Sequence, residues 1–575
     1  MTGLAFDTAA YRLELRPNGL LASLSVGGEP FAELRPLAAA DTTAAPDETL
    51  AVSEPRPLEN AGGFVVERRS TVWERAGVDI LCGDDTLELR PWVEGRGALT
   101  DVHLLACRSA LPGEPLGFLP SGRRFRSLFS PNPGDPRLVV RPASQSAVIG
   151  VSGDGTPGRG HWLFTPAPLL LALTTAAEPD PDEELAAGWT ALGVEATVAE
   201  LAFVQLEYVP GDGSFSLLLE YDGHTEVDGR LELPRLVLEP GHATPYAALR
   251  RQRERLIARG EAPPATERVR PAWWSEPIFC GWGAQCELVR GSGRFAGEEA
   301  TQANYDAFLE QLEAEDVHPG IVTIDDKWQD GYGTNRPDEA KWPDLRGWIA
   351  GQHERGRRVL LWWKAWDPEG LPTELCVRNG AGAPVAFDPS NPAAREALRR
   401  QVHAMLGADG LDADGFKVDF TARTPSGRSL TFHGDGYGIP LLHRLLQTLY
   451  AAAKEAKPDA LVLTHTPHPA FADVTDMIRL NDVVRVDDDD PRGRVLAQMR
   501  HRAQVAAASC PELLIDTDDW CVPSLEQWRE YAEAKPLLGV PSLYYARAVD
   551  ATGEAFEPRD YETLRRTWAD WRRSR

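Results

Sequence analysis

Lys417 and Asp419 stand two residues apart in Gly415-Phe416-Lys417-Val418-Asp419, a run short enough for one β-strand. Residues i and i+2 of a strand project to the same face, so an ammonium would lie beside a carboxylate and keep it ionised at neutral pH. An ionised Asp is what a covalent nucleophile requires. A second carboxyl, Asp482, follows Arg479 in Met477-Ile478-Arg479-Leu480-Asn481-Asp482. Apolar surroundings and a nearby carboxylate would make it hold its proton, the opposite condition. One ionised and one protonated carboxyl form the nucleophile and general acid that cleave glycosidic bonds. Asp325 and Asp326 would accept hydrogen bonds from sugar hydroxyls, and Trp282 and Trp362 would offer apolar walls to a sugar's C–H faces. Trp328, Trp363 and Trp366 admit two readings, further platforms or packing inside the fold.

Such groups must be carried by elements that converge. From about residue 273 apolar runs alternate with helical stretches: Ile278–Trp282, Gly320–Ile324, Val359–Trp363, Gly415–Phe420, Ala460–Thr464, Met477–Leu480, Glu512–Ile515 and Ser542–Tyr545. Eight such runs predict a (β/α)8 TIM barrel, whose chemistry sits at the C-terminal ends of its strands. Every candidate above falls at or just past such an end. The first roughly 240 residues alternate apolar and polar positions instead, as in Tyr11, Leu13 and Leu15 against Arg12, Glu14 and Arg16, with Gly/Pro turns between the runs. That grammar predicts a large antiparallel β-sandwich domain over 1–243. Thr244 followed by Pro245 starts a connecting helix, and Pro263-Pro264 and Pro271 mark a linker, so 244–272 join the sandwich to a barrel over 273–575.

Composition narrows the partners. Sixty Lys and Arg against 86 Asp and Glu give a formal charge of −26, which repels nucleic acid and anionic membrane surfaces. No run approaches the roughly 18 apolar residues of a membrane span and no signal segment opens the chain, so the expectation is a cytoplasmic protein without membrane association. Seven dispersed cysteines predict free thiols, and no cofactor or metal is implied by His465 and His468, which lack a His-x-His partner near the first strand. The acidic run Asp487 to Asp490 reads as a solvated loop.

Gly320-Ile321-Val322-Thr323-Ile324-Asp325-Asp326-Lys327-Trp328-Gln329, then Trp342-Pro343-Asp344, then Gly415-Phe416-Lys417-Val418-Asp419 together resemble the clan D glycoside hydrolases, which include α-galactosidases and raffinose-synthase-like enzymes. The resemblance covers roughly Trp273 to Tyr545. It implies a retaining α-glycosidase, α-galactosidase-like, working by double displacement on an oligosaccharide or glycoside. Asp419 would be the nucleophile and Asp482 the acid/base, with Lys417, Arg479, Asp325, Asp326, Trp282 and Trp362 around the sugar. The register also admits Asp488 or Asp489 as the acid/base. Thr464-His465-Thr466-Pro467-His468-Pro469 departs from the family's segment for the sugar's second position, which leaves the monosaccharide open. A raffinose-synthase-like transglycosylase and an inactive carbohydrate-binding barrel are the alternative readings. The N-terminal domain would orient the barrel, complete its rim or support a homo-oligomer.

Overall fold

The computed structural model describes residues 4–58, 62–131, 139–153, 164–177, 188–264, 270–484 and 494–575. From Leu4 to His242 the described residues form twenty strands joined in one hydrogen-bonded network. The pairings are antiparallel apart from the contact of Ser109 with Thr49. Alternation drives this region: in Tyr11–Leu15 the Tyr and both Leu side chains are buried while Arg12 and Glu14 face solvent. The longest strands, Leu87–Leu104 and Ser214–Glu232, run side by side from Trp92 opposite Glu232 to Leu104 opposite Leu217. Where the sequence predicts a sandwich, the described residues form this single network of strands.

Strand grammar stops where Thr244 caps a helix. Its Oγ1 accepts from Ala247 N at 3.1 Å, Pro245 takes the first turn, and the helix α1 (Pro245–Ala258) buries Ala248, Leu249 and Leu256. Tyr246 Oη and His501 Nδ1 share a hydrogen bond of 3.0 Å, tying α1 to a helix of the following region.

There the eight expected strands all form: β1 (Ile278–Cys280), β2 (Ile321–Ile324), β3 (Arg358–Lys364), β4 (Gly415–Asp419), β5 (Leu461–Thr464), β6 (Met477–Arg479), β7 (Leu514–Asp516) and β8 (Ser542–Leu543). They pair in parallel in the order β7-β6-β5-β4-β3-β2-β1-β8. A parallel bridge between Asp516 and Val540 brings β7 beside the residues that lead into β8 and completes the ring. Helices such as Gln302–Ala314, Pro392–Leu406, Ile439–Ala456 and Val495–Ser509 supply the crossovers that parallel neighbours require. β4 begins at Gly415 with φ of 151°, where a Cβ would lie 2.0 Å from Leu461 O, so only glycine lets β4 and β5 meet in this register. The base of the barrel is packed by Ile278, Ile321, Leu360, Leu461 and Met477, with Trp274 and Trp571 among them. No helix among the described residues is long and apolar enough to cross a membrane.

Candidate active site

The N-terminal ends of the strands are thus filled with hydrocarbon, and polar side chains collect at the other end. A cavity of about 300 Å³ opens there, lined by Trp282 after β1, Asp325 and Asp326 after β2, Trp362 on β3, Lys417 and Asp419 on β4, and Arg479 and Asp482 at and after β6. All eight residues singled out in the sequence share this one cavity. Asp488 and Asp489 lie outside the described residues, as does the acidic run around them.

Period-two geometry turns Lys417 and Asp419 to the barrel interior while Val418, fully buried, faces the surrounding helices. Their partners differ from the simplest expectation. Lys417 Nζ donates to Asp325 Oδ2 at 2.6 Å and to Cys280 Sγ at 3.4 Å, and Cys280 Sγ donates to the same Asp325 oxygen at 2.9 Å. Asp419 is held by other donors: Phe420 N at 2.8 Å and Arg479 Nη2 at 3.1 Å on Oδ1, and Trp362 Nε1 at 3.1 Å on Oδ2. Trp362 is therefore a hydrogen-bond donor to Asp419 as well as an apolar wall. Burial alone would raise the Asp419 pKa, but the charges of Arg479 and Lys417 outweigh it and hold the carboxyl well below the usual range.

Arg479 is the hub. With 1% of its surface exposed, it donates through Nη1 to Asp482 Oδ1 at 3.3 Å and Asp518 Oδ2 at 3.0 Å, and through Nη2 to Asp419 and to Asn481 Oδ1 at 2.6 Å. One guanidinium thus serves three carboxyl groups. Asp482 receives the least of it: burial first, then repulsion from Asp518 and Asp419, push its pKa up to about 7 against the pull of Arg479. Asp326 is likewise raised to about 7, by burial and by Asp325, although Tyr332 Oη donates to its Oδ1 at 2.8 Å. The cavity therefore presents an ionised Asp419 and, up to about neutral pH, a protonated Asp482 on the two ends of the same Arg.

The segment bearing Asp482 is fixed from behind. Arg502, buried on the helix Val495–Ser509, directs Nη1 at the carbonyls of Leu480, Asn481 and Asp482 at 2.9, 2.8 and 2.7 Å. Gln498 on the same helix grips Val484 through both N–H and C=O. Asn481, at φ of 69°, caps Asp482 N with its own Oδ1 at 3.0 Å.

Several contributors escaped the sequence reading. Tyr332 and Arg502 carried no motif; an arginine among the alanines and valines of a largely buried helix is the hint for the latter. His465 was noted at a strand end and does line the cavity, bonded through Nε2 to Thr421 Oγ1. Thr421 also bonds Thr165 Oγ1, and Thr165 N donates to His465 O at 3.1 Å, so a turn of the N-terminal region reaches the barrel mouth. Trp328 and Trp366 proved to be braces, donating Nε1 to Trp362 O at 2.8 Å and Thr421 O at 3.0 Å. Those two and Trp363 are buried away from the cavity lining. Among the described residues no group of His, Cys, Asp and Glu is arranged to hold a metal ion.

No protein-family model and no curated protein sequence matches the chain. Solved structures do. A GH31 family sulfoquinovosidase from E. rectale aligns over 97% of this chain and 82% of its own at TM-score 0.59 and 13% identity. The chain shares that fold. An α-galactosidase from Thermus thermophilus aligns over 90% of this chain and 95% of its own, at TM-score 0.52 and 16% identity. An uncharacterized protein from Listeria monocytogenes EGD-e, solved with α-D-glucose and β-D-glucose, gives TM-score 0.55 and 12% identity over 99% of this chain. The chain spans 58% of that protein's length. At these identities the likeness is one of architecture.

Proposed function

We propose that the chain is a retaining α-glycosidase whose catalytic unit is the barrel, 273–575, preceded by an N-terminal domain over 1–243 and a connector over 244–272. The observation that carries this reading is Arg479, which holds Asp419 and Asp482 on its two Nη atoms while their pKa values are driven apart. In the first step an Asp419 oxygen attacks the anomeric carbon. The bond to the leaving oxygen breaks, and that oxygen takes the proton of the Asp482 carboxyl. In the second step Asp482, now ionised, removes a proton from water, the water oxygen bonds to the anomeric carbon, and Asp419 departs as carboxylate. Attack and displacement on opposite faces in turn leave the anomeric configuration as it began.

The lining favours a neutral sugar. Its cations, Lys417 and Arg479, are both engaged by carboxylates, while Asp325 and Asp326 offer acceptors for hydroxyl groups. Galactose is the first glycone to test, from the motif resemblance and from the Thermus thermophilus enzyme of like fold. The deciding measurement is release of an aryl alcohol from aryl α-galactoside and α-glucoside, with the product anomer followed by NMR. The wild type is expected to release the α-anomer first, and Asp419→Asn to lose about 10⁴-fold or more in kcat. Equal activity in the variant would remove Asp419 from the chemistry, and a β-anomer as first product would make the enzyme inverting.

A further inference from the structure

Phe295 leaves 48% of its surface exposed, and its ring is fixed. It precedes the short turn Ala296–Glu299 in the connection after β1. A Cβ on Gly297 would lie 2.4 Å from Phe295 Cε1, so the glycine is what allows the ring to rest against the turn. The turn is pinned in its own right: Gln285 Nε2 donates to Ala296 O at 3.2 Å, and Lys341 Nζ to Gly297 O at 3.1 Å. The ring meets Trp282 edge to face, with centroids 6.4 Å apart at 62°. Trp282 meets Trp520 in the same manner, at 5.8 Å and 68°. Trp282 and Trp520 line the catalytic cavity, so Phe295 extends a continuous aromatic row from the cavity to the outside. A single exposed apolar ring is ordinary on a protein surface, whereas a fixed one continuous with a cavity presents a binding face.

The direction of the row is informative. Val483 N donates to Trp520 O at 2.7 Å, which ties the inner end of the row to the residue after Asp482. The oxygen that receives a proton from Asp482 belongs to the leaving group, so whatever departs must lie on that side. At about 300 Å³ the cavity is at the small end for ligand sites, and a substrate with a second ring has to extend over its rim.

We infer that Trp520, Trp282 and Phe295 form a leaving-group subsite that stacks on the C–H face of a pyranose, with Phe295 as its outer, specificity-determining platform. The inference rests on the glycosidase reading above and deepens it: the substrate class becomes an α-linked oligosaccharide, whose departing portion is itself a sugar ring.

The test compares kcat/KM for two substrates with one glycone, α-galactosyl fluoride and an α-1,6-linked galactosyl-glucose disaccharide, with the corresponding glucosyl pair in parallel. The fluoride has no ring to stack. Phe295→Ala is expected to lower the disaccharide-to-fluoride ratio about tenfold, and Phe295→Tyr, which keeps the platform, to restore it. An unchanged ratio in Phe295→Ala, with fluoride still turned over, overturns the subsite and leaves the glycosidase standing. A loss shared equally by both substrates also overturns it, because that marks damage to the cavity. Failure of the wild type to turn over either fluoride overturns the glycosidase reading and this inference with it.

Discussion

Two ionic clusters are built from the same chemical groups, guanidinium and carboxyl, and behave differently. Around α1, Arg255 binds Glu195 at 2.7 Å and also Glu239, Arg259 binds Glu195 at 2.9 Å and also Glu88, and Arg251 adds a contact to Glu239 at 3.3 Å. Arg90 binds Glu88 as well, at 2.8 Å, so these three carboxylates have four guanidiniums about them. Burial would raise Glu239 and Glu88, but their cationic neighbours win, and Glu239 is brought down to about 2. Only at the edge does burial prevail, over the pull of Arg235 on Glu261. At the barrel mouth one guanidinium, Arg479, faces Asp419, Asp482 and Asp518. There the attraction cannot satisfy every carboxyl. Asp419 is driven down and Asp482 is left at about 7. A matched cluster fastens a helix to a sheet, whereas an undersupplied one leaves a proton available for transfer.

Removing the proton tests this contrast most severely. Asp482→Asn is expected to lower kcat on an α-disaccharide by about 10² to 10⁴-fold, the usual range for a lost general acid. Because Asp482 works protonated, wild-type kcat/KM should fall as pH rises through about 7 and decline on the acid side only where Asp419 takes up a proton, below the ordinary carboxylate range. In the variant the alkaline fall should vanish. An alkaline limb that persists would transfer the role to another carboxyl, either Asp326, which is also raised to about 7, or Asp488 or Asp489.

The matched cluster should answer in stability instead. Glu239→Gln leaves Arg255 and Arg251 short of a carboxylate in a site where the Glu239 side chain is 5% exposed, and is expected to cost about 3 kcal/mol. Denaturant midpoints would register that loss, while the pH profile of kcat/KM should stay where it was. A shifted profile would mean that the two clusters communicate.

Arg502→Lys should produce the smallest change. An ammonium cannot reproduce the guanidinium's contacts to the carbonyls of residues 480–482 and to Gln498, so the Asp482 segment loses its fixed placement. The expected result is about a tenfold fall in kcat with KM changed less, and a retained alkaline limb that reports Asp482 still in use.

Much of this arrangement was legible in the residues. Continuous apolar runs alternating with helical stretches located all eight barrel strands, because parallel strands buried on both faces are apolar throughout, and the Thr244-Pro245 pair marked a helix start. The strand-end rule then pointed to Asp325, Asp326, Asp419 and Asp482, which do share a cavity. The exchange of partners was not legible: Lys417 sits two residues from Asp419, yet its ammonium goes to Asp325 across the barrel, and the donors of Asp419 come from β3, from β6 and from the backbone of Phe420. Neither Tyr332 nor Thr165 announced itself: the Tyr332 hydroxyl meets Asp326 only through the folding of the connection after β2, and the Thr165 hydroxyl meets Thr421 from a distant part of the chain.

The sequence by itself determined which residues are polar at strand ends and how many strands the barrel has, both properties set by local periodicity and composition. Tertiary structure alone decided which neighbours keep Asp419 ionised and Asp482 protonated. That outcome depends on distances of a few ångströms among Arg479, Asp419, Asp482 and Asp518, groups as much as 99 residues apart in the chain, and on their shared removal from water. Coulombic and desolvation energies vary steeply over such distances, and sequence spacing carries no record of them.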